Sequence, residues 1–393
     1  MYFSRLKKRR RGQIRAVDFI ISLFLFLLML TQLILIIINV QTDVTGSGIG
    51  NITSEELDIF GRQLLEQKGE PFWGYQKNLP NSFGLADSLS TTPLTLSAAK
   101  ISRLITGTSF LISEPTGYEM HNYNNLKEMI KLDARYEFQI GFFPVLKVSV
   151  TSSIINITAN IVEATVTNFQ NTPIPDVQLY FYSLDLTNGD AILEEIALTN
   201  STGGASKEYL IPSLGIPDSD HISVVIAKKS AMWGINWSYA KTGLPSSKVL
   251  AGSESNTTIW GGGINSSSIL ISDKIKTTNA IDNHFLTILY ENSSSSFSNQ
   301  TINLGTSSES NETISVPTNG LVFFFSIVRE DDSYKVGIGS YPAILDQTSD
   351  TGIFYQVFGE IDPSENVKAK LSKIYPIVVR GTLMQCQLTL WSF

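Results

Sequence analysis

The chain reads as an N-terminal transmembrane helix followed by a mainly-β exterior: a small α+β part, a β-sandwich and a further β-rich region. Three observations predict this. Phe19 to Ile38 is apolar except for Ser22, Thr31 and Gln32, and about 20 residues at ~1.5 Å each cover the ~30 Å hydrocarbon layer of a bilayer. Between Thr53 and Leu132 three separate stretches carry apolar residues at helical spacing. Beyond Val145 short alternating runs are separated by Pro, Gly and Asn turns, and short strands at a spacing of about 8–12 residues indicate a sandwich. The parts are a basic leader (1–12), the transmembrane helix (13–41), a linker with an α+β region (42–144), a sandwich (145–240) and a β-rich C-terminal region (241–393).

The leader sets the topology. Arg5, Lys7, Lys8, Arg9, Arg10 and Arg11 carry no accompanying acid, while Asp43 is the only charge between Gln41 and Gly50. This bias holds the N-terminus in the cytoplasm and sends the bulk of the chain outside the cell membrane as a single-pass protein in contact with membrane lipid. A cleaved secretory signal would have a shorter apolar core and a small-residue cleavage step; Asn39-Val40-Gln41-Thr42-Asp43 offers none. Asp18 stands at the edge of the apolar run, where an unpaired carboxylate is costly. It calls for a positive partner, or else lies among lipid headgroups.

After a Gly/Ser/Thr linker, Thr53 and Glu56 form a capping box, and Leu57, Phe60, Leu64 and Leu65 the stripe of a helix. Helices are also predicted from about Ser97 through Ile105 and from Tyr123 to Leu132, then a strand at Tyr136 to Ile140. Strand-like runs follow at Leu146–Val150, Ile155–Val166, Leu179–Tyr182, Tyr209–Ile211 and Ile222–Ala227. Residues 240–320 are polar, with apolar strands at Ser268–Ile271 and Phe285–Tyr290; Leu321–Val328 reads as a buried strand, and Ile374 to Trp391 closes the last unit. No internal repeat is evident.

Net charge is −7, so an acidic exterior argues against nucleic-acid binding. The single cysteine, Cys386, reads as a small buried apolar residue, and no intramolecular disulfide is possible. Asn-x-Ser/Thr sequons occur at Asn51, Asn156, Asn200, Asn236, Asn256, Asn265, Asn292, Asn299 and Asn311, all beyond the helix, as in a glycoprotein. Catalytic signals are absent from the sequence. His121, His221 and His284 are far apart, and Gly337-Ile338-Gly339-Ser340-Tyr341 and Trp260-Gly261-Gly262-Gly263 read as turns. Asp218/Asp220 with His221, Asp185/Asn188/Asp190 and Glu330/Asp331/Asp332 supply too few oxygens for Ca²⁺ and read as solvated turns. No cofactor, metal or catalytic residue is assigned.

The order of basic leader, Gly12, Gln13, Asp18 and apolar helix resembles the class III signal peptides of archaeal type IV pilin-like proteins. That resemblance implies a prepilin-type peptidase that cuts after Gly12 and leaves the helix on a chain starting at Gln13. It implies assembly with like or related subunits through Asp18, with Gln32 as a second contributor. Asp18 would be sixth after the cut, where the family usually places its acid fifth. Gly69, Pro71, Trp73, Gly84, Leu85, Ala86, Lys100, Tyr136 and Phe138 extend the likeness over residues 5–145. Further on, Pro173-Ile174-Pro175 before a strand, then Thr202-Gly203-Gly204-Ala205, is similar to immunoglobulin-like adhesion modules. The reading is a non-enzymatic surface protein. The alternatives are a solitary membrane-anchored extracellular binding protein and, more weakly, an exported hydrolase.

Overall fold

The computed structural model describes residues 52–392, leaving out 105–117, 122, 157–158, 211–220, 240–247, 252–255, 293–296, 332, 347–353, 356, 360–366 and 368. The predicted anchor, with Gly12, Gln13, Asp18 and Gln32, lies outside the described residues, as does Asn51. Among those described, no helix is long and apolar enough to cross a membrane.

The capping box forms. Helix α1 (Ser54–Leu65) starts at Thr53, whose backbone N–H donates to Glu56 at 2.8 Å while Thr53 Oγ1 accepts from the Glu56 N–H at 3.2 Å. Its buried stripe is Leu57, Phe60, Leu64 and Leu65, as the spacing predicts. Strand β1 (Thr95–Leu96) was not expected; helix α2 (Ala98–Ile101) and helix α3 (Tyr123–Met129) are shorter than the sequence suggests, and β2 (Tyr136–Pro144), longer than the expected Tyr136–Ile140, completes this first part.

The next seven strands are β3 (Lys147–Asn156), β4 (Ala159–Thr167), β5 (Gln178–Asp185), β6 (Ala191–Leu198), β7 (Gly204–Leu210), β8 (His221–Lys229) and β9 (Met232–Ser238). They make an immunoglobulin-like sandwich of sheets β3-β4-β7 and β9-β8-β5-β6. Strand alternation sends Leu179, Phe181, Val225 and Ala227 into its core and turns Tyr180, Tyr182, Val224 and Ile226 to the opposite face.

That opposite face is covered by a second sandwich. It comprises β10 (Lys248–Ala251), β11 (Thr257–Gly263), β12 (Ser268–Ile275), β13 (Asn283–Glu291), β14 (Phe297–Gly305), β15 (Glu309–Ser315), β16 (Val322–Glu330) and β17 (Ser333–Tyr341). Its sheets are β10-β17-β16-β13-β14 and β11-β12-β15. The two sandwiches stack back to back: Tyr180 meets Phe297 at 5.1 Å, Trp233 meets Phe323 at 5.3 Å, and Thr301 Oγ1 donates to Gly189 O at 3.0 Å. Apart from the added β10, the second repeats the strand order of the first, so an architectural repeat exists that the residues do not display.

Short strands β18 (Leu345–Asp346), β19 (Phe354–Tyr355) and β20 (Val357–Gly359) lead to β21 (Ala369–Val379) and β22 (Thr382–Ser392). The run read as one closing segment is thus a hairpin, because Arg380 and Gly381 both have positive φ, 51° and 78°. Strand β22 pairs antiparallel with β2, from Tyr136↔Ser392 to Pro144↔Met384, and touches β9 at Leu383↔Met232. The first part, the hairpin and one sheet of the first sandwich therefore share a nine-stranded sheet. Cys386 is fully buried in β22, and burial pushes its thiol pKa up.

Two glycine-rich segments expected to be turns are strands instead. Gly261 to Gly263 lie in β11, and Gly337 and Gly339 in β17. The ring of Phe324 explains the choice of residue: a Cβ on Gly339 would stand 2.5 Å from it, and Gly261 faces the same ring.

Candidate functional site

The motif residues of the first part converge. Trp73 is fully buried, and its indole N–H donates to Gly84 O at 3.1 Å. Gly69 has φ +59°, and a Cβ there would stand 2.6 Å from Ser82 O. Lys100 is buried below Trp73, 5.8 Å from its ring, and donates to Lys68 O at 2.5 Å and Ala86 O at 2.8 Å. Burial brings its pKa down to about 8, against the charge of Asp87, which raises it. Phe138 packs edge-on to Phe60 of α1 at 5.2 Å, and the Tyr136 hydroxyl donates to Glu56 at 3.2 Å. Leu85 is buried and Pro71 exposed. The lysine and tryptophan thus fasten turns to the platform that follows the predicted anchor. Sequence reasoning missed Arg103, which is buried and donates to Glu119 O at 2.7 Å and Lys77 O at 3.1 Å. It also missed His121, held edge-on between Trp73 at 5.0 Å and Phe83 at 5.3 Å with neither ring nitrogen bonded. Burial, then the charge of Arg103, push its pKa down to about 3.

A serine, a histidine and an aspartate do meet, inside the second sandwich. His284 Nε2 lies 2.8 Å from Asp273 Oδ2 and 3.2 Å from Ser326 Oγ, and Nδ1 lies 2.7 Å from Ser307 O. Both Asp273 and Ser326 face the same ring nitrogen, so the group is not arranged as a relay from nucleophile through base to acid. All three side chains are buried between sheets, out of a substrate's reach. The carbonyl can only accept, so Nδ1 carries a proton; Nε2 donates to the carboxylate. Burial disfavours this charged ring, but the hydrogen bond and charge of Asp273 and the bond to Ser307 outweigh it and raise the His284 pKa.

A cavity of about 430 Å³ opens where four chain turns meet, β8–β9, β13–β14, the approach to β16, and β21–β22. Trp233, Phe297 and Phe323 supply aromatic surface. Lys228 and Glu291, an ion pair, and Arg380 supply charge. Ser230, Asn292, Asn319 and Thr382 bring hydroxyl and amide groups. Arg380 donates through Nε to Gly320 O at 2.7 Å and through Nη2 to Pro317 O, and lies 5.0 Å from the Tyr341 ring. The cavity draws on residues separated by up to some 150 positions, so no local sequence signal could have located it.

The sequons differ in geometry. Asn200, Asn256, Asn265, Asn299 and Asn311 are exposed. At Asn236, Asn292 and Asn299 the amide nitrogen donates within the fold, to Val148 O at 2.9 Å, Ser298 Oγ at 3.0 Å and Ala191 O respectively, and a glycan there would displace that bond. Asn156 is described only through its strand pairing. Two acidic groups read as solvated are buried instead, because each ends a strand of a covered sheet: Asp185 closes β5, its Oδ1 accepting from the N–H and hydroxyl of Thr187, both at 2.7 Å, and Glu330 closes β16 and pairs with Lys335 at 2.6 Å; Asp218, Asp220 and Asp332 lie outside the described residues. Among the described residues no three His, Cys, Asp or Glu side chains are grouped to hold a metal ion.

No family model and no curated protein matches the chain. Solved structures similar to it include the FN1-FN3 domains of chicken CNTN1, at 11% identity over 49% of this chain and 65% of that one, TM-score 0.18. Two others are the chicken interferon gamma receptor alpha chain, at 12% over 56% and 98%, TM-score 0.18, and a tetra-tandem repeat from the extending region of a large adhesion protein, at 13% over 62% and 73%, TM-score 0.20. At such scores the likeness carries nothing about function. The sandwich assignment rests on the chain's own strand order.

Proposed function

We propose that this chain is a non-enzymatic cell-surface protein of the type IV pilin-like kind, held by the helix at 19–38 with its N-terminus in the cytoplasm and its β-rich part outside. The observation that carries the reading is the order of basic leader, Gly12, Gln13, Asp18 and apolar run in the sequence. The convergence of Gly69, Trp73, Gly84 and Lys100 into one folded unit supports it. Membrane lipid surrounds the helix, a prepilin-type peptidase cuts after Gly12, and related subunits are the assembly partners. The exterior serves structural or adhesive contact. A solitary anchored binding protein is the second reading, favoured by the cavity at Arg380.

Assembly separates the two. In a bundle of helices Asp18 meets the α-amino group of a neighbouring Gln13, and removing one member of a buried pair leaves the other charge uncompensated. Asp18→Ala therefore abolishes crosslinked oligomers in native membranes, while export and folding of the exterior persist. Equal oligomer yield from both proteins, or monomer alone from wild type, decides for the solitary reading.

A further inference from the structure

The free edge of the first sandwich differs from its counterpart in the second. Strand β6 ends the sheet β9-β8-β5-β6 and, among the described residues, pairs on one side only, with β5. Its side chains Ile192, Leu193, Ile196 and Leu198 are 38%, 41%, 46% and 64% exposed. They are four of the eight large apolar side chains exposed among the described residues. The equivalent edge strand, β14, shows Asn299, Gln300 and Asn303 to solvent and carries a sequon at Asn299. An open edge with apolar side chains is a template for a further strand. Strand β6 offers one from Ile192 onward; at Ala191 the carbonyl already accepts from the Asn299 amide.

A bulge decides which strand fits. The register with β5 shifts between Phe181 and Tyr182, which leaves Glu194 with no residue opposite. Leu193 and Ile196, across from Tyr182 and Tyr180, share the face that looks to the second sandwich. Ile192, Glu195 and Ala197, across from Ser183, Phe181 and Leu179, share the face toward β7. Glu194 turns the same way as Glu195: Lys207 of β7 pairs with Glu195 at 2.8 Å, and its charge acts on Glu194 as well. From Ile192 to Ala197 the order of faces is therefore its own mirror image about the step between the two glutamates. A regular strand would leave one residue of β6 unpaired, as β5 does. A second β6 laid antiparallel leaves none and matches every face. We infer that β6 is a self-association edge, on which a second copy of this chain pairs antiparallel with the two-fold axis between Glu194 and Glu195. Leu193 then meets Ile196 of the partner copy, and Ile192 meets its Ala197. The glutamates face each other, and like charges directly opposite weaken a pair. So short a contact belongs to the weak class of interfaces, below about 1,200 Å². It lies apart from the helix contact proposed above and does not depend on how the chain is anchored.

Cysteine crosslinking of the full chain in detergent tests both the contact and its register. Opposed residues of antiparallel strands lie about 4.5–5.5 Å apart at Cα, within disulfide reach. Residues 193 and 196 of one strand lie about 10 Å apart, beyond it. Cys386 is fully buried and does not compete. Under mild oxidation Leu193→Cys with Ile196→Cys should give roughly tenfold more covalent dimer than either single variant, or than Leu193→Cys with Leu198→Cys, whose cysteines are not opposed in this register. Adding Glu194→Gln should raise the yield severalfold, since it removes like charge from the axis. Adding Asp18→Ala should leave the yield unchanged, which separates this contact from the helix assembly. A thermal scan of each variant checks folding. If the double cysteine variant does not fold, sedimentation decides, with Glu194→Gln associating more tightly than wild type and Ile196→Lys less. Equal yields from the single, paired and shifted variants, no dimer from any of them, or a dimer lost with Asp18→Ala overturns the inference.

Discussion

The two sandwiches share a strand order and treat their histidines in opposite ways. In the first, His221 opens β8 directly across from Asp185 at the end of β5. That aspartate is already engaged by the backbone and hydroxyl of Thr187. His221 Nδ1 is buried and unbonded, and burial pushes the pKa down, with the charge of Asp185 opposing. In the second, His284 bonds Asp273 directly and its pKa is raised despite burial. A carboxylate close by does not lift the pKa of a buried histidine; a carboxylate with its oxygen on the ring nitrogen does. The first sandwich core buries Ser183 and Ser223 beside its apolar cluster, whereas the second holds a histidine and an aspartate in direct hydrogen bond. His121, among aromatic rings with no carboxylate bonded to it, marks the far end of the series.

Breaking the pair gives the largest effect. Asp273→Asn leaves an imidazolium without its counter-charge in the second core, and losing one partner of a buried pair costs about 3–5 kcal/mol. Urea unfolding at pH 6 measures it, and a loss under about 1 kcal/mol would mean the pair is not charged. The sign with pH differs between the sandwiches. A raised native pKa makes His284 stabilising below its unfolded value of about 6.5, and that contribution fades as pH rises through the native pKa. The lowered pKa values of His221 and His121 do the reverse: the unfolded chain takes up protons below about pH 6.5 that the native chain refuses, so stability falls with acid.

His121→Phe extends the comparison at smaller scale. It removes two unbonded polar nitrogens from an aromatic box, which should stabilise by about 1 kcal/mol at pH 7, and by more as pH falls from 6.5 toward 3. Urea unfolding at pH 7 and pH 5 reads both, and a destabilised variant would mean that the imidazole has an acceptor or donor in the box. Smallest is Thr187→Val, which frees one lone pair of Asp185. The chain has three histidines, so proton NMR titration resolves each ring; His221 should shift toward its ordinary range in this variant, with stability changed by less than about 1 kcal/mol. An unmoved His221 would show that proximity without reorientation is all the strand pairing allows.

Local patterns were legible, and long-range meetings were not. Thr53 and Glu56 announce α1 because a capping box is satisfied within four residues. Leu179 to Tyr182 announces a buried strand because both faces are covered. By contrast β14 and β15 sit inside polar stretches, since each is an edge strand with much of its surface in solvent. The glycines of β11 read as a turn, since the Phe324 ring they accommodate arrives from β16. His284, Asp273 and Ser326 come from three strands, and the cavity at Arg380 from four turns. Such sites have no spacing to find.

The anchor is the opposite case, written wholly in sequence, and the functional account rests on it. Mass spectrometry of the native protein's N-terminus tests it most directly. The account predicts a chain that begins at Gln13, or within one residue of it, and keeps the apolar segment at 19–38. An intact Met1, or a start beyond Val40, would contradict it.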